Sequence, residues 1–152
     1  MKKLVSIFMM ATLLFVSCSK SDDSNDNSND DVYIKFTVNG QNYNYNPATG
    51  ISLKTTFNGG EGVDNTYKFI NLSLPNDYAT GTYNIVLSDP NDLTTYNAYY
   101  ESVGDNIDFE ADSGSITITN IGSEYVTGTF NFSGDNNGTT VSVTNGSFRA
   151  LR

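Results

Sequence analysis

The chain has 152 residues with eight basic and seventeen acidic side chains, a formal charge of −9, one cysteine and no histidine. That inventory excludes an intrachain disulfide, Ser-His-Asp and Cys-His catalysis, and the usual zinc and copper ligand sets. The lysines and arginines form no cluster or stripe, which argues against nucleic acid as a partner.

Lys2 and Lys3 precede residues 4–17, LVSIFMMATLLFVS, which carry no charge. A basic start, a short apolar run and a small residue before a cut site make a secretory signal peptide. A transmembrane helix needs about 20 apolar residues, and this run is too short for one. Cys18 closes the run in the order Phe15-Val16-Ser17-Cys18. This resembles the lipobox of bacterial lipoproteins, with Phe15 in the place usually held by Leu. The resemblance implies that a diacylglyceryl group alkylates the Cys18 thiol, that residues 1–17 are cleaved away, and that the new amine is acylated. Each buried methylene contributes about 0.8 kcal/mol; one acyl chain binds a membrane only reversibly, and two or three on one residue make a lasting anchor. Cleavage leaves six basic side chains against seventeen acidic ones. The lipid, not attraction to anionic headgroups, must then hold the chain to a membrane.

Residues 18–31 follow as a segment of their own. After Cys18 they read SKSDDSNDNSNDD, with no apolar side chain. Such a stretch cannot repay the entropy of ordering, and it reads as a disordered tether extended by repulsion among its carboxylates. It lacks the central Gly and terminal Glu of an EF-hand loop. Ser19-Lys20-Ser21-Asp22-Asp23 resembles the surface-export signal of Bacteroidota lipoproteins. That implies a lipid-anchored outer-membrane location facing the cell exterior.

From residue 32 to 152 apolar and polar residues alternate, which is the period of a half-buried strand. VYIKFTV (32–38) places Val32, Ile34, Phe36 and Val38 on one face, and Asn39-Gly40 offers a turn that accepts positive φ before YNYN (43–46). The inward sets that follow are Ile51, Leu53 and Phe57; Ile70, Leu72 and Leu74; Tyr83, Ile85 and Leu87; Ile116 and Ile118; and Val126, Phe130 and Phe132. NGGEG (58–62) reads as a hairpin loop. At 139–151 the alternation changes parity between Val143 and Phe148, with Asn145-Gly146 between them. A G1 bulge restores the inward set there, and is preferred to a two-residue hairpin because the remaining tail is short for a strand of its own. About nine short strands without helical periodicity make an all-β domain, a single antiparallel β-sandwich or, alternatively, a flattened barrel.

LPNDYATGTYNI (74–85), SGSITITN (113–120), VTGTFNFSG (126–134) and VSVTNGSF (141–148) resemble a family of Bacteroidota lipoprotein domains of unknown function. Its members share a Gly-Thr-Phe-x-Phe strand followed by a Val-x-Val-Thr-Asn-Gly-x-Phe strand. The resemblance covers about residues 33–151 and implies a small β domain behind a lipoprotein signal, with no catalytic residue to transfer.

Two features of the domain are candidate sites. Tyr96, Tyr99 and Tyr100 lie in TTYNAYYESVGDN (94–106), and a mixture of Tyr with Asn and Ser suits a binding surface for a glycan or a protein. Tyr also favours strands, so sheet packing is the competing reading. Asp108, Glu110 and Asp112 would share one face of an extended segment, where calcium could take their oxygens. A solvated edge is preferred there, and no cofactor is expected. A glycoside hydrolase needs only two acids about 5 or 6.5–9.5 Å apart, but Glu61, Glu101, Glu110 and Glu124 are scattered along the chain. The expectation is a non-catalytic binding module, with an accessory subunit of an envelope complex as the alternative and a hydrolase third. Replacing Cys18 by Ala should release the protein from membranes, and mass spectrometry of the native protein should find an acylated peptide beginning at Cys18.

Overall fold

The computed structural model describes residues 32–152; the signal segment, Cys18 and the tether lie outside the described residues. The strands are β1 (Tyr33–Val38), β2 (Gln41–Tyr45), β3 (Ala48–Ile51), β4 (Thr55–Glu61), β5 (Lys68–Leu74), β6 (Gly81–Asn84), β7 (Asn97–Ser102), β8 (Ile107–Glu110), β9 (Ser113–Ile121), β10 (Tyr125–Asn136) and β11 (Thr139–Leu151). They form a six-stranded sheet in the order β2-β1-β11-β10-β9-β6 and a five-stranded sheet in the order β3-β4-β5-β7-β8. Adjacent strands within each sheet are antiparallel. The two sheets pack face to face and do not close into a barrel, so the sandwich holds and the flattened barrel does not.

Among the described residues there are eleven strands and not nine. The stretch 51–57 divides into β3 and β4 around a turn in which the Ser52 N–H donates to the Lys54 carbonyl (3.1 Å). Asn76 donates to the carbonyls of Ser52 (2.9 Å) and Leu53 (3.2 Å) and holds that turn in place. The turn breaks the alternation, so Ile51 and Leu53 are 69% and 68% exposed instead of buried, while Phe57 is buried as expected. Leu87 is likewise exposed, because β6 ends at Asn84 and the chain leaves the sheet after Ile85. The acidic stretch supplies the other extra strand, β8. NGGEG is not a loop: Asn58–Glu61 complete β4, and Gly59 is buried where a Cβ would collide with Ile34 and Tyr45 of the facing sheet.

The two sheets cross steeply. Tyr96, just before β7, stacks on Tyr83 of β6 (4.2 Å, 9°), while Tyr100 within β7 packs edge-on against Phe36 of β1 (5.7 Å). The segment therefore traverses the six-stranded sheet from one edge toward the other, as in orthogonal packings where strands pass between sheets at corners. Such a corner occurs at Ala111-Asp112. The Ala111 N–H donates to Ala98 of the five-stranded sheet (2.9 Å), and the next N–H donates to Ser133 of the six-stranded sheet (3.0 Å).

Phe57, Phe148, Phe130 and Phe132 form a buried aromatic chain at centroid distances of 5.2, 6.4 and 6.1 Å. Their alignment depends on a bulge in β11. Phe130 pairs with Gly146 but Phe132 with Val143; on the other side Lys35 pairs with Ser147 but Thr37 with Thr144. One extra β11 residue faces both neighbours, and β11 is continuous, so the hairpin alternative is excluded. Asn145 takes the left-handed conformation (φ 53°), not the glycine. Gly146 is required for a different reason, since a Cβ there would strike the Phe130 carbonyl and ring.

Phe130→Ala should cost about 3–5 kcal/mol in denaturant unfolding, through lost burial and the cavity left behind. Gly146→Ala should cost about 1–3 kcal/mol by overpacking. Asn145→Gly should be tolerated, because glycine adopts the same φ without strain.

Candidate functional site

Three hairpin turns meet at one corner of the sandwich: Asn39-Gly40 between β1 and β2, residues 103–106 between β7 and β8, and Asn137-Gly138 between β10 and β11. Each has an asparagine in the left-handed region, Asn39 (φ 50°), Asn106 (φ 54°) and Asn137 (φ 55°). Asparagine tolerates that conformation because its short polar side chain bonds locally. The turns wall a cleft of about 620 Å³. Asn39 and Gln41 stand on one side, Asp105 and Asn106 on another, and Asn136, Asn137, Thr139 and Thr140 on the third. Asn136 ties two walls together, accepting from the Asp108 N–H (3.1 Å) and donating to the Asn106 carbonyl (3.0 Å).

Tyr43 and Tyr100 also line this cleft. Tyr43 stacks on Phe36 (5.2 Å, 23°). Tyr100 is fully buried, yet its hydroxyl has no hydrogen-bond partner among the described residues. A buried hydroxyl left unpaired costs about 1–3 kcal/mol, so a group that supplies a partner gains a corresponding advantage. Burial, then the neighbouring Tyr43 and Asp105, push the ionisation of Tyr100 well above the ordinary tyrosine range, which keeps it a neutral donor and acceptor. Among the described residues Asp105 is the one carboxylate lining the cleft; it accepts from the Ser102 hydroxyl (2.6 Å) and lies 3.9 Å from the Lys68 ammonium. Amides, hydroxyls and two phenols surround a nearly neutral space, which suits a ligand rich in hydroxyl groups.

The three tyrosines singled out by sequence do not act together. Tyr96 is buried under Tyr83, and Tyr100 is buried at the cleft, so neither offers a ring face at the surface. They belong to β7 and its approach, and strand alternation sends both inward, which is the sheet-packing reading. Tyr99 alone faces outward, half-buried beside Phe69 (6.2 Å), which in turn stacks on Tyr67 (6.2 Å, 11°). Its hydroxyl donates to Glu101 (3.2 Å). Asp108 and Glu110 project from β8, the edge strand of the five-stranded sheet, while Asp112 lies past the corner, where it accepts from the Ser113 hydroxyl (2.8 Å). The three do not converge, and no group of three acidic or thiol side chains among the described residues could hold a metal ion. The cleft residues escaped notice in the sequence because Asn39, Asn106 and Asn137 carry the signature of turns, and turn chemistry accounts for them completely.

Burial raises the ionisation of Tyr45, Tyr96, Tyr99 and Tyr100, and neighbouring acids add to the shift at all four. An acid whose folded pKa is raised contributes stability below its unfolded pKa and loses it as pH rises beyond that value. Alkaline titration should therefore leave these four un-ionised through pH 10, with stability falling above it and their tyrosinate absorbance appearing together with unfolding.

No curated protein and no solved structure matches the chain. A family described as a domain of unknown function, DUF6252, matches residues 60–152, which takes in β5 to β11, the Tyr100 floor of the cleft and two of its three walls. The chain belongs to the DUF6252 family.

Proposed function

We propose that this is an outer-membrane lipoprotein of the Bacteroidota type, anchored through acylated Cys18 and facing the cell exterior, and that it binds a neutral glycan in the cleft without transforming it. The anchor and its location rest on residues 2–23, whose order of basic, apolar, cysteine and acidic residues fits that class. The single observation that carries the ligand reading is the buried, unpartnered Tyr100 hydroxyl at a cleft walled by amides. Amide side chains both donate and accept, as sugar hydroxyls do, and the Tyr43 ring offers apolar contact. The non-catalytic reading is supported by the cleft's one carboxylate, since hydrolysis of a glycosidic bond uses two.

A second reading, a protein contact made as an accessory subunit, is favoured by the outward row of Tyr67, Phe69 and Tyr99 on the five-stranded sheet. Half-buried aromatics flanked by polar groups are common anchors at protein interfaces.

A glycan array and a protein pull-down, each with the parent protein, Tyr100→Phe and Tyr99→Ala, separate the two. Tyr100→Phe removes a hydroxyl that has no protein partner, so it should melt at or above the parent temperature while weakening the captured glycan about tenfold. Unchanged affinity in that variant, or no glycan retained by the parent, overturns the cleft reading. Loss of a protein partner in Tyr99→Ala alone supports the second.

A further inference from the structure

We infer that the corner of the domain where β1 begins rests against the lipid surface, so that the cleft is held on the side away from the membrane. This rests on the reading of Cys18 as the lipid anchor.

Eight large apolar side chains are exposed among the described residues, and six of them, Ile51, Leu53, Val86, Leu87, Leu93 and Leu151, are linked in one neighbourhood. The links are hydrogen bonds. The Thr49 hydroxyl donates to the Leu151 carbonyl (2.6 Å), which joins β3 to the end of β11. The turn carrying Leu53 extends Lys54 to the Thr95 carbonyl (2.7 Å) and to the Asn97 side chain. Asn97 in turn donates to the carbonyls of Val86 (2.9 Å) and Leu87 (3.4 Å). Leu93 lies in the same segment, whose Asp92 carbonyl accepts from Thr95 (3.2 Å).

The first described strand begins at this corner, because Tyr33 pairs with Arg149, two residues before Leu151. β1 then runs to Val38 at the cleft, about 17–20 Å away. Thirteen residues separate Cys18 from Val32, a segment that spans no more than about 50 Å even fully extended. An acylated Cys18 therefore holds the domain within about 50 Å of the bilayer and attaches it at this corner. Apolar side chains that meet water alone are favoured at the boundary of headgroups and acyl chains. The acids nearby, Asp89, Asp92 and Glu124, would repel anionic headgroups. The contact is thus apolar in kind, not an attraction to anionic lipid. Of the other two exposed residues, Val103 lies in the turn of residues 103–106 that walls the cleft and serves as a control.

The test uses the full chain, isolated with its own acyl group and reconstituted in phosphatidylcholine vesicles containing lipid-borne quencher. Acylated Cys18 is a thioether and does not react with a maleimide fluorophore, so Leu87→Cys and Val103→Cys each provide a single labelling site. Quenching at Leu87→Cys should exceed that at Val103→Cys about threefold or more, as expected for a face seated in the interface. Equal quenching at the two positions, or more at Val103→Cys, overturns the inference. Mass spectrometry of the same sample reads the anchor separately. An acylated chain with equal quenching defeats only the orientation, whereas an unacylated chain defeats the anchor reading and the orientation together.

Discussion

The phase of β11 is the constraint on which the core depends. This strand lies between β1 and β10 at the centre of the larger sheet, and both neighbours take their register from it. Side chains alternate with a period of two, so a strand of this length without a bulge would turn either Val141 and Val143 or Phe148 and Ala150 outward. The left-handed Asn145 absorbs one residue and keeps all four buried. Phe148 is thereby set between Phe57 of the facing sheet and Phe130 of the adjacent strand, which couples the two layers through a single ring.

Much of this was legible in the chain. The parity change between Val143 and Phe148 announced the bulge, and alternation through Ile70, Leu72 and Leu74, through Ile116 and Ile118, and through Val126, Phe130 and Phe132 identified the buried faces. What escaped detection was local competition between alternation and turns. Ile51 and Leu53 satisfied the pattern of a buried strand, but a turn anchored by Asn76, more than twenty residues away, overrode it. Tyr96 and Tyr100 are buried by contacts with β6 and β1, and no local pattern specifies which strands a residue will face across a sandwich. Asn145, and not the adjacent glycine, occupies the strained position because glycine at 146 is needed for space.

The cleft was illegible for a related reason. Its walls come from three turns far apart in sequence, assembled only when the sheets cross. Each turn asparagine serves a backbone need first, and its presence at a shared opening is a property of the topology. Tyr100 differs from these residues: nothing in the packing needs its hydroxyl, and phenylalanine would fill the same volume without leaving a buried polar atom unpaired.

The pairing of β1 with β11 also dictates an order of assembly. β9, β10 and β11 form a consecutive meander whose contacts are local, and short loops close quickly. β1 has one local neighbour, β2, and its other partner, β11, lies more than a hundred residues later in the sequence. A polypeptide made from its N-terminus must keep Ile34, Phe36 and Val38 out of their final setting until Arg149 has been synthesised. β1 is made long before its pairing can be completed, and the interval exposes an apolar hairpin to whatever handles the nascent chain.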